Sequence, residues 1–320
     1  MWRRKQMKTN EIKVLDHGYV KLIDHMGTDE DIISAARMST GRGFEGWDDR
    51  EQCEQCGEVK GLPHRMSCAD LPHAWKKKPG DKGLLDFMYR NKHSTPFEMC
   101  ELQIEVQAPI MVFREWHRHR TQSYSEFSAR YSVMPNLHYV PDVGRIQKQS
   151  KTNKQGSDEA FTEAMAVAYR DELEREQHDV YSTYDNLIQA GVAKEVARLN
   201  TPVSRYSKMR AKTDLRNWLG FLNLRMRPNA QLEIRLYAEA VAAIVRDLWP
   251  RTYALFEEYD LYGVHLSRTE MKALLDTMHD DGDLEWAEKN LMRNAKNAGM
   301  SDSKQTELLR KYKVGGKEIL

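Results

Sequence analysis

The sequence predicts an α+β fold, with few strands and several long helices. Three observations carry this. Residues 101–107, ELQIEVQ, alternate Leu102, Ile104 and Val106 against Glu101, Gln103, Glu105 and Gln107, the period of a strand with one buried face. Two long segments, ending at Gln189 and Leu248, carry apolar residues at helical spacing. Strands are otherwise few, and there is no internal repeat.

Taken in order, IKVLDHGYVKLIDHMG alternates enough for an early strand or hairpin. TDEDIISAARMS follows as a helix. Thr28 caps it, Asp29, Glu30 and Asp31 suit its first turn, and Ile32, Ile33, Ala35 and Ala36 form its apolar face. From Gly41 to Lys82 the texture changes to Gly, Asp, Cys, His, Pro and Lys, a loop or small inserted module. LLDFMYRNKHSTPFE is a short helix up to its proline, and Pro109 suits the first position of a helix through APIMVFREW, where its missing N–H is not needed. RIQKQSKTNKQGSDE is polar, rich in breakers and expected to be mobile. The helix ending at Gln189 places Leu173, Val180, Tyr184 and Leu187 on one side and stops at Gly191. The next holds Leu232, Leu236, Val241, Ile244 and Leu248 and meets Trp249-Pro250. After Leu266, Ser267 and Glu270 form a capping box that opens a charged helical tail. The expected organisation is a domain over residues 1–265, carrying a Cys/His-rich insert at about 41–82, and a charged helical extension over 266–320.

Composition sets limits on function. The chain has 320 residues, 40% hydrophobic and 30% charged, which excludes wholesale disorder. Its net charge of +1 excludes a global basic field, so any affinity for anions must come from local clustering. No apolar run is long enough to span a bilayer, and MWRRKQMKTN is not followed by the apolar core of a secretory signal. Three of the four cysteines crowd between Cys53 and Cys68, unlike a disulfide framework, and a reducing cytoplasm is expected.

Two clusters carry chemistry. Residues 114–131, REWHRHRTQSYSEFSARY, hold four arginines, two histidines and two glutamates in a run of hydroxyls. Guanidinium forks match phosphate oxygens and keep their charge at any working pH, and Arg114 and Arg118 lie one helical turn apart. Composition alone favours a solvated loop paired through Glu115 and Glu126. His117 and His119, two positions apart, point to different sides and form no metal pair. In the insert, Cys53-x2-Cys56 and His64-x3-Cys68 have the ligand types and grouping of a tetrahedral structural Zn²⁺ site, with His73 as a substitute for His64; the alternative is reduced cysteines in a loop.

Arg118-His119-Arg120, seven residues, then Ser128-Ala129-Arg130-Tyr131 resembles the defining motif of the flavin-dependent thymidylate synthases. LDHGYVKLIDHMG, SAARMS, HSTPFE, VARLNTPVSRY, LRNWLGFLNLR and NAQLEIR resemble that family's other elements in the right order, from about Val14 to about Glu258. The resemblance implies the fold of the thymidylate synthase complementing proteins, a mixed, largely antiparallel sheet packed with long helices, and conversion of dUMP to dTMP. It also implies methylenetetrahydrofolate as one-carbon donor, FAD reduced by NADPH as hydride donor, and a homotetramer with shared active sites.

By position, Glu115, Arg118, Glu126, Ser128, Arg130, Arg198 and Arg225 fall where the family holds dUMP. Ser39, His93, Thr95, Glu98, Arg118, His119, Arg120, Glu126 and Arg216 fall on or near its flavin contacts. Arg225 is the catalytic residue of this reading, a cation set against negative charge developing on uracil. Ser128, with no base identified beside it, is a nucleotide-binding hydroxyl, and Cys100 is expected to pack as a small apolar residue. The chain departs from the family pattern at Glu115, where glutamine is common, at Asp214 and Gly220, where amides or other flavin-contacting side chains are usual, and at Asn229, where histidine is frequent. The rival reading is a zinc-stabilised nucleic-acid-binding protein with Trp116, Tyr124 and Tyr131 for stacking. Near-zero net charge and the ordered motifs oppose it, so no nucleic-acid partner is expected. A catalytically inactive nucleotide-binding relative is the remaining alternative.

Overall fold

The computed structural model describes residues 11–54, 60, 75–151, 156–270, 284–300, 302, 304–306 and 308. The chain divides into two compact units, Met1–Tyr262 and Gly263–Leu320. In the first unit the order begins β1 (Glu11–Val14), β2 (Gly18–Met26), α1 (Asp29–Arg37), β3 (Arg50–Cys53), β4 (Trp75–Lys78), α2 (Lys82–Arg90) and α3 (Thr95–Glu98). It continues with β5 (Glu101–Pro109), α4 (Ile110–Trp116), β6 (Ser123–Glu126), β7 (Gln147–Gln149), β8 (Ser157–Ala160), α5 (Glu163–Gln189) and α6 (Lys194–Ala197). β9 (Tyr206–Asp214), α7 (Leu215–Arg225), α8 (Leu232–Leu248) and α9 (Pro250–Phe256) complete it.

Five strands pair in the order β1-β2-β5-β9-β6, each neighbour antiparallel. The alternation in β5 sets its inner face: Leu102, Ile104 and Val106 are buried and sit opposite Thr213, Ala211 and Met209 of β9. Outward neighbours pair by charge, Arg210 with Glu105 and Lys212 with Glu101. α8 covers the inner face with Ile234, Tyr237, Ala238, Val241, Ile244 and Val245, a stripe at helical spacing, all buried. Each large aliphatic side chain so buried contributes roughly 2 kcal/mol. Tyr237 donates to the Gln107 carbonyl at 2.7 Å. This approach is so close that a Cβ at Gly18 would stand 1.9 Å from the Tyr237 hydroxyl.

The caps read from sequence form. The Thr28 hydroxyl accepts from the Asp31 N–H at 3.3 Å while the Thr28 N–H donates to Asp31 Oδ2 at 2.8 Å. α5 stops at Gly191 with φ +84°. In the second unit Ser267 and Glu270 exchange the two bonds of a capping box, and a helix spans Leu284–Asn297. Among the described residues no helix is long and apolar enough to cross a membrane.

Elsewhere the structure differs from the expectation. Pro109 closes β5 and precedes α4, with an extended ψ of 146°. The stretch after α4 folds back as β6, and the breaker-rich 145–159 segment holds the β7–β8 hairpin, with 152–155 outside the described residues. Leu173 and Leu187 remain 39% and 36% exposed, because α5 uses Tyr184 to anchor a small second cluster with Ala129, Met134 and Ala197. The insert is closed at its base by β3 and β4, Cys53 opposite Trp75. The buried Asp81 accepts there from the backbone N–H groups of Glu45 and Gly46 and from Arg37. Cys53 is buried; Cys56, His64, Cys68 and His73 lie outside the described residues. Among the described residues no group of three or more His, Cys, Asp or Glu is placed to hold a metal ion.

Gly18→Ala should lower the thermal midpoint through overpacking of about 1–3 kcal/mol. An unchanged melt would contradict the close approach of α8 to β2.

Candidate active site

The antiparallel pairing of β5 with β9 decides where the site forms. α4 leaves the end of β5 and α7 leaves the end of β9, which lie at opposite ends of the pair. The two helices therefore approach each other over the sheet. They meet through Trp116, Trp218 and Phe221, all buried, with the Trp116 and Phe221 ring centroids 4.5 Å apart. Asp214 fastens the start of α7, accepting from the Asn217 N–H at 2.9 Å. That cap gives this departure from the family pattern a structural role.

At the meeting point Arg225, the last residue of α7, is held on three sides. Its Nη1 donates to Glu115 Oε2 at 3.0 Å, its Nη2 to the Glu115 carbonyl at 2.9 Å and its Nε to His119 Nε2 at 3.1 Å. His119 accepts this bond as a neutral ring with its proton on Nδ1. Burial first, and then the Arg225 charge, push its pKa down to about 4. Burial raises the Glu115 carboxyl above the ordinary glutamate value against the pull of Arg225, with Glu233 adding to the rise. Arg118 and Arg120 project from the turn between α4 and β6, exposed, and neither guanidinium is tied to a carboxylate among the described residues.

A second grouping surrounds the small Tyr184 cluster. Ala129 and Ala197 pack there, so their neighbours Ser128, Arg130 and Arg198 come to one region from distant parts of the chain. Ser128 Oγ accepts from the Arg130 N–H at 3.3 Å, and Glu126 Oε1 accepts from Ser207 Oγ at 2.8 Å. Among the described residues the Arg130 side chain pairs with an exposed Glu195, at 3.4 Å.

A third grouping lines an open cavity of about 390 Å³ beside α7, formed by Met88, Lys92, His93, Phe97, Arg216 and Leu219 among others. Glu98 holds Arg216 at 3.3 Å. Gly220 is on this wall, and a Cβ there would meet nothing within 4 Å. An apolar floor, an arginine at the rim and a wall left bare by glycine suit a flat heterocycle with an anionic attachment, and so fit a flavin. Thr95 opens α3 beside the cavity's Ser94, whereas the exposed Ser39 is near none of these groupings by any contact described. Asn229 lines a separate polar crevice. Sequence reasoning missed Lys92, Tyr89 and Asp260 of the cavity, where Asp260 accepts from Lys92 at 2.7 Å; only the tertiary fold joins them. Cys100 is buried, burial pushes its thiol up to about 12, and it packs in the core as expected, an environment that opposes the thiolate form.

Arg216 and Arg225 are nine residues apart on α7, about half a revolution around its axis. The cavity and the Arg225 cluster therefore face opposite sides of the helix.

A family model described as thymidylate synthase complementing protein matches residues 21–251. A flavin-dependent thymidylate synthase of Wolbachia pipientis wMel is 38% identical over 264 residues, covering 82% of this chain and 82% of its own. One from Thermus thermophilus is 40% identical over 263 residues, covering 82% and 84%. Among solved structures, the UMP/dUMP methylase PolB from Streptomyces cacaoi, bound with 5-Br dUMP, is similar with a TM-score of 0.59 and 27% identity, over 78% of this chain and 99% of that one. The chain belongs to the thymidylate synthase complementing proteins, the flavin-dependent thymidylate synthase family, and is an enzyme of that class.

The His119 ring should take up its proton near pH 4 and not near 6.5, as followed by NMR. An unfolded chain binds that proton near 6.5 and the folded chain does not. The ring's contribution to stability is then complete above 6.5 and lost as pH falls toward about 4. His119→Gln should flatten that part of the acid-stability curve. A midpoint near 6.5 would mean that neither burial nor Arg225 acts on the ring.

Proposed function

We propose that the chain methylates dUMP reductively to dTMP. Methylenetetrahydrofolate gives uracil C5, whose proton leaves, a one-carbon unit at the oxidation level of formaldehyde; a hydride completes the methyl group, and protons taken up by the two folate nitrogens release tetrahydrofolate. FAD, re-reduced by NADPH, supplies the hydride when bound. The observation that supports this best is the posture of Arg225. Three of its five N–H groups are taken by Glu115 and His119, and two remain for a ligand. A half-buried guanidinium fixed in this way can stabilise charge developing on a uracil oxygen without having to reorganise. A neutral His119 matters here, since a protonated ring would repel Arg225 and could not accept its bond.

In this reading Arg118, Arg130 and Arg198 grip the nucleotide with Ser128 and Glu126, and Glu115 positions Arg225. FAD is held by Ser39, His93, Thr95, Glu98, Arg118, His119, Arg120, Glu126 and Arg216. Because the Arg216 and Arg225 sides of α7 face apart, one chain does not complete a site; a homotetramer with shared sites brings the two together. The exposed Tyr131, Leu199 and Leu224, 76%, 75% and 62% accessible beside site residues, are apolar surface that such assembly covers. The same reading takes the enzyme as cytoplasmic, without a nucleic-acid partner, and assigns the thymidylate synthase domain to residues 1–265, followed by the charged helical extension at 266–320. It also places structural Zn²⁺ on Cys53, Cys56, His64 and Cys68.

Arg225→Ala should cut turnover about a hundredfold or more while the protein keeps its flavin. Equal loss of both would move Arg225 from the uracil to the cofactor. Elemental analysis should find about one zinc per chain; none would leave the insert a plain loop.

A further inference from the structure

One more cation stands near the nucleotide side without a partner in contact. Arg205 precedes β9 and bridges His138 in antiparallel fashion, flanked by Tyr139 N–H to Ser204 O and Tyr206 N–H to Leu137 O, both 2.9 Å. Antiparallel bridge partners project to the same side, and alternate residues of extended chain share a face. Arg205 and His138 therefore lie on the face of Ser207, whose hydroxyl donates to Glu126. Tyr181 of α5 packs edge-on against His138 with ring centroids 5.9 Å apart, and Tyr184 joins it to the cluster that carries the neighbours of Ser128, Arg130 and Arg198.

Two features of this pair are unlike ordinary packing. The half-buried Arg205 guanidinium makes no hydrogen bond or ion pair among the described residues. Its burial lowers its pKa, and Arg198 adds to that against the opposing charge of Glu126. Beside it, burial and then Arg205 hold His138 neutral, and both its ring nitrogens are buried without a hydrogen-bond partner. Buried polar atoms are almost always satisfied, and a crowded cation calls for an anion. A phosphate would accept from both the guanidinium and an imidazole N–H, and its two negative charges would offset the repulsion between Arg198 and Arg205.

We propose that Arg205 and His138 form an additional anion-binding pair that grips the phosphate of the nucleoside monophosphate beside Arg198. The inference rests on the reading that this site takes dUMP and adds two residues to its phosphate end. Their role is in binding and in selecting a phosphorylated substrate over a nucleoside, and they take no part in the chemistry at uracil.

The test measures binding of dUMP and of deoxyuridine, with steady-state kinetics, for the full chain and for Arg205→Ala, Arg205→Gln, Arg205→Lys and His138→Phe. Arg205→Ala should weaken dUMP at least about tenfold, with kcat at saturating dUMP, flavin content and deoxyuridine binding retained. Arg205→Lys should recover part of the loss and His138→Phe should show a smaller one. Arg205→Gln keeps the length of the side chain and reads the charge alone should the alanine variant fail to fold. Affinity for dUMP within about twofold of wild type, or equal losses for dUMP and deoxyuridine, would overturn the pair, the latter because it marks a packing role. Wild-type protein that binds dUMP without turning it over would sink the proposed reaction and leave the pair standing. Wild-type turnover with unaffected Arg205 variants would sink the pair alone, and no binding of dUMP would sink both.

Discussion

The register between β5 and β9 is the constraint from which the rest follows. Leu102, Ile104 and Val106 opposite Thr213, Ala211 and Met209 put the inward residues of both strands under α8. The same register fixes the starting points of α4 and α7 at opposite ends of the pair. A slip of two residues would keep the buried face but move one helix by about 7 Å, enough to take Arg225 out of reach of Glu115 and His119. Arg225 is thus positioned by strand pairing, and its precision comes from the core.

Electrostatics then divides the arginines into two kinds. Arg225 is already engaged and oriented, and it is the one suited to polarising a substrate. Arg118, Arg198 and Arg205 have no carboxylate in contact among the described residues, a condition that costs little at the surface and more as burial increases. Cations of this kind offer an anion local charge that the net charge of +1 does not.

Much of this was legible in the sequence, and the failures have physical causes. β5, α1 and α8 announce themselves because they have one strongly apolar face and one polar one. β9 does not: its buried face is Ser207, Met209, Ala211 and Thr213, small or weakly apolar, and Lys208, Arg210 and Lys212 dominate its outer face. β6 is polar throughout, SYSE, and is a strand only because β9 offers an edge. The family resemblance located Arg225, Glu115 and His119 residue by residue. It gave Glu115 as a nucleotide contact, and the structure shows it holding Arg225. Arg205 and His138 escaped because a lone histidine and one more arginine have no pattern until the 137–139 and 204–206 segments are paired. The cavity beside α7 holds His93 and Arg216, read from position, and also Asp260, which no local signal joins to Lys92.

The central claim, that Arg225 acts on a uracil ring within a flavin-dependent methylation, is tested most directly by tritium release from dUMP labelled at C5. The flavin-loaded protein with methylenetetrahydrofolate and NADPH should release tritium to water, and Arg225→Ala, retaining its flavin, should release almost none. Release that proceeds undiminished in that variant, or no release from the intact protein, would contradict the account.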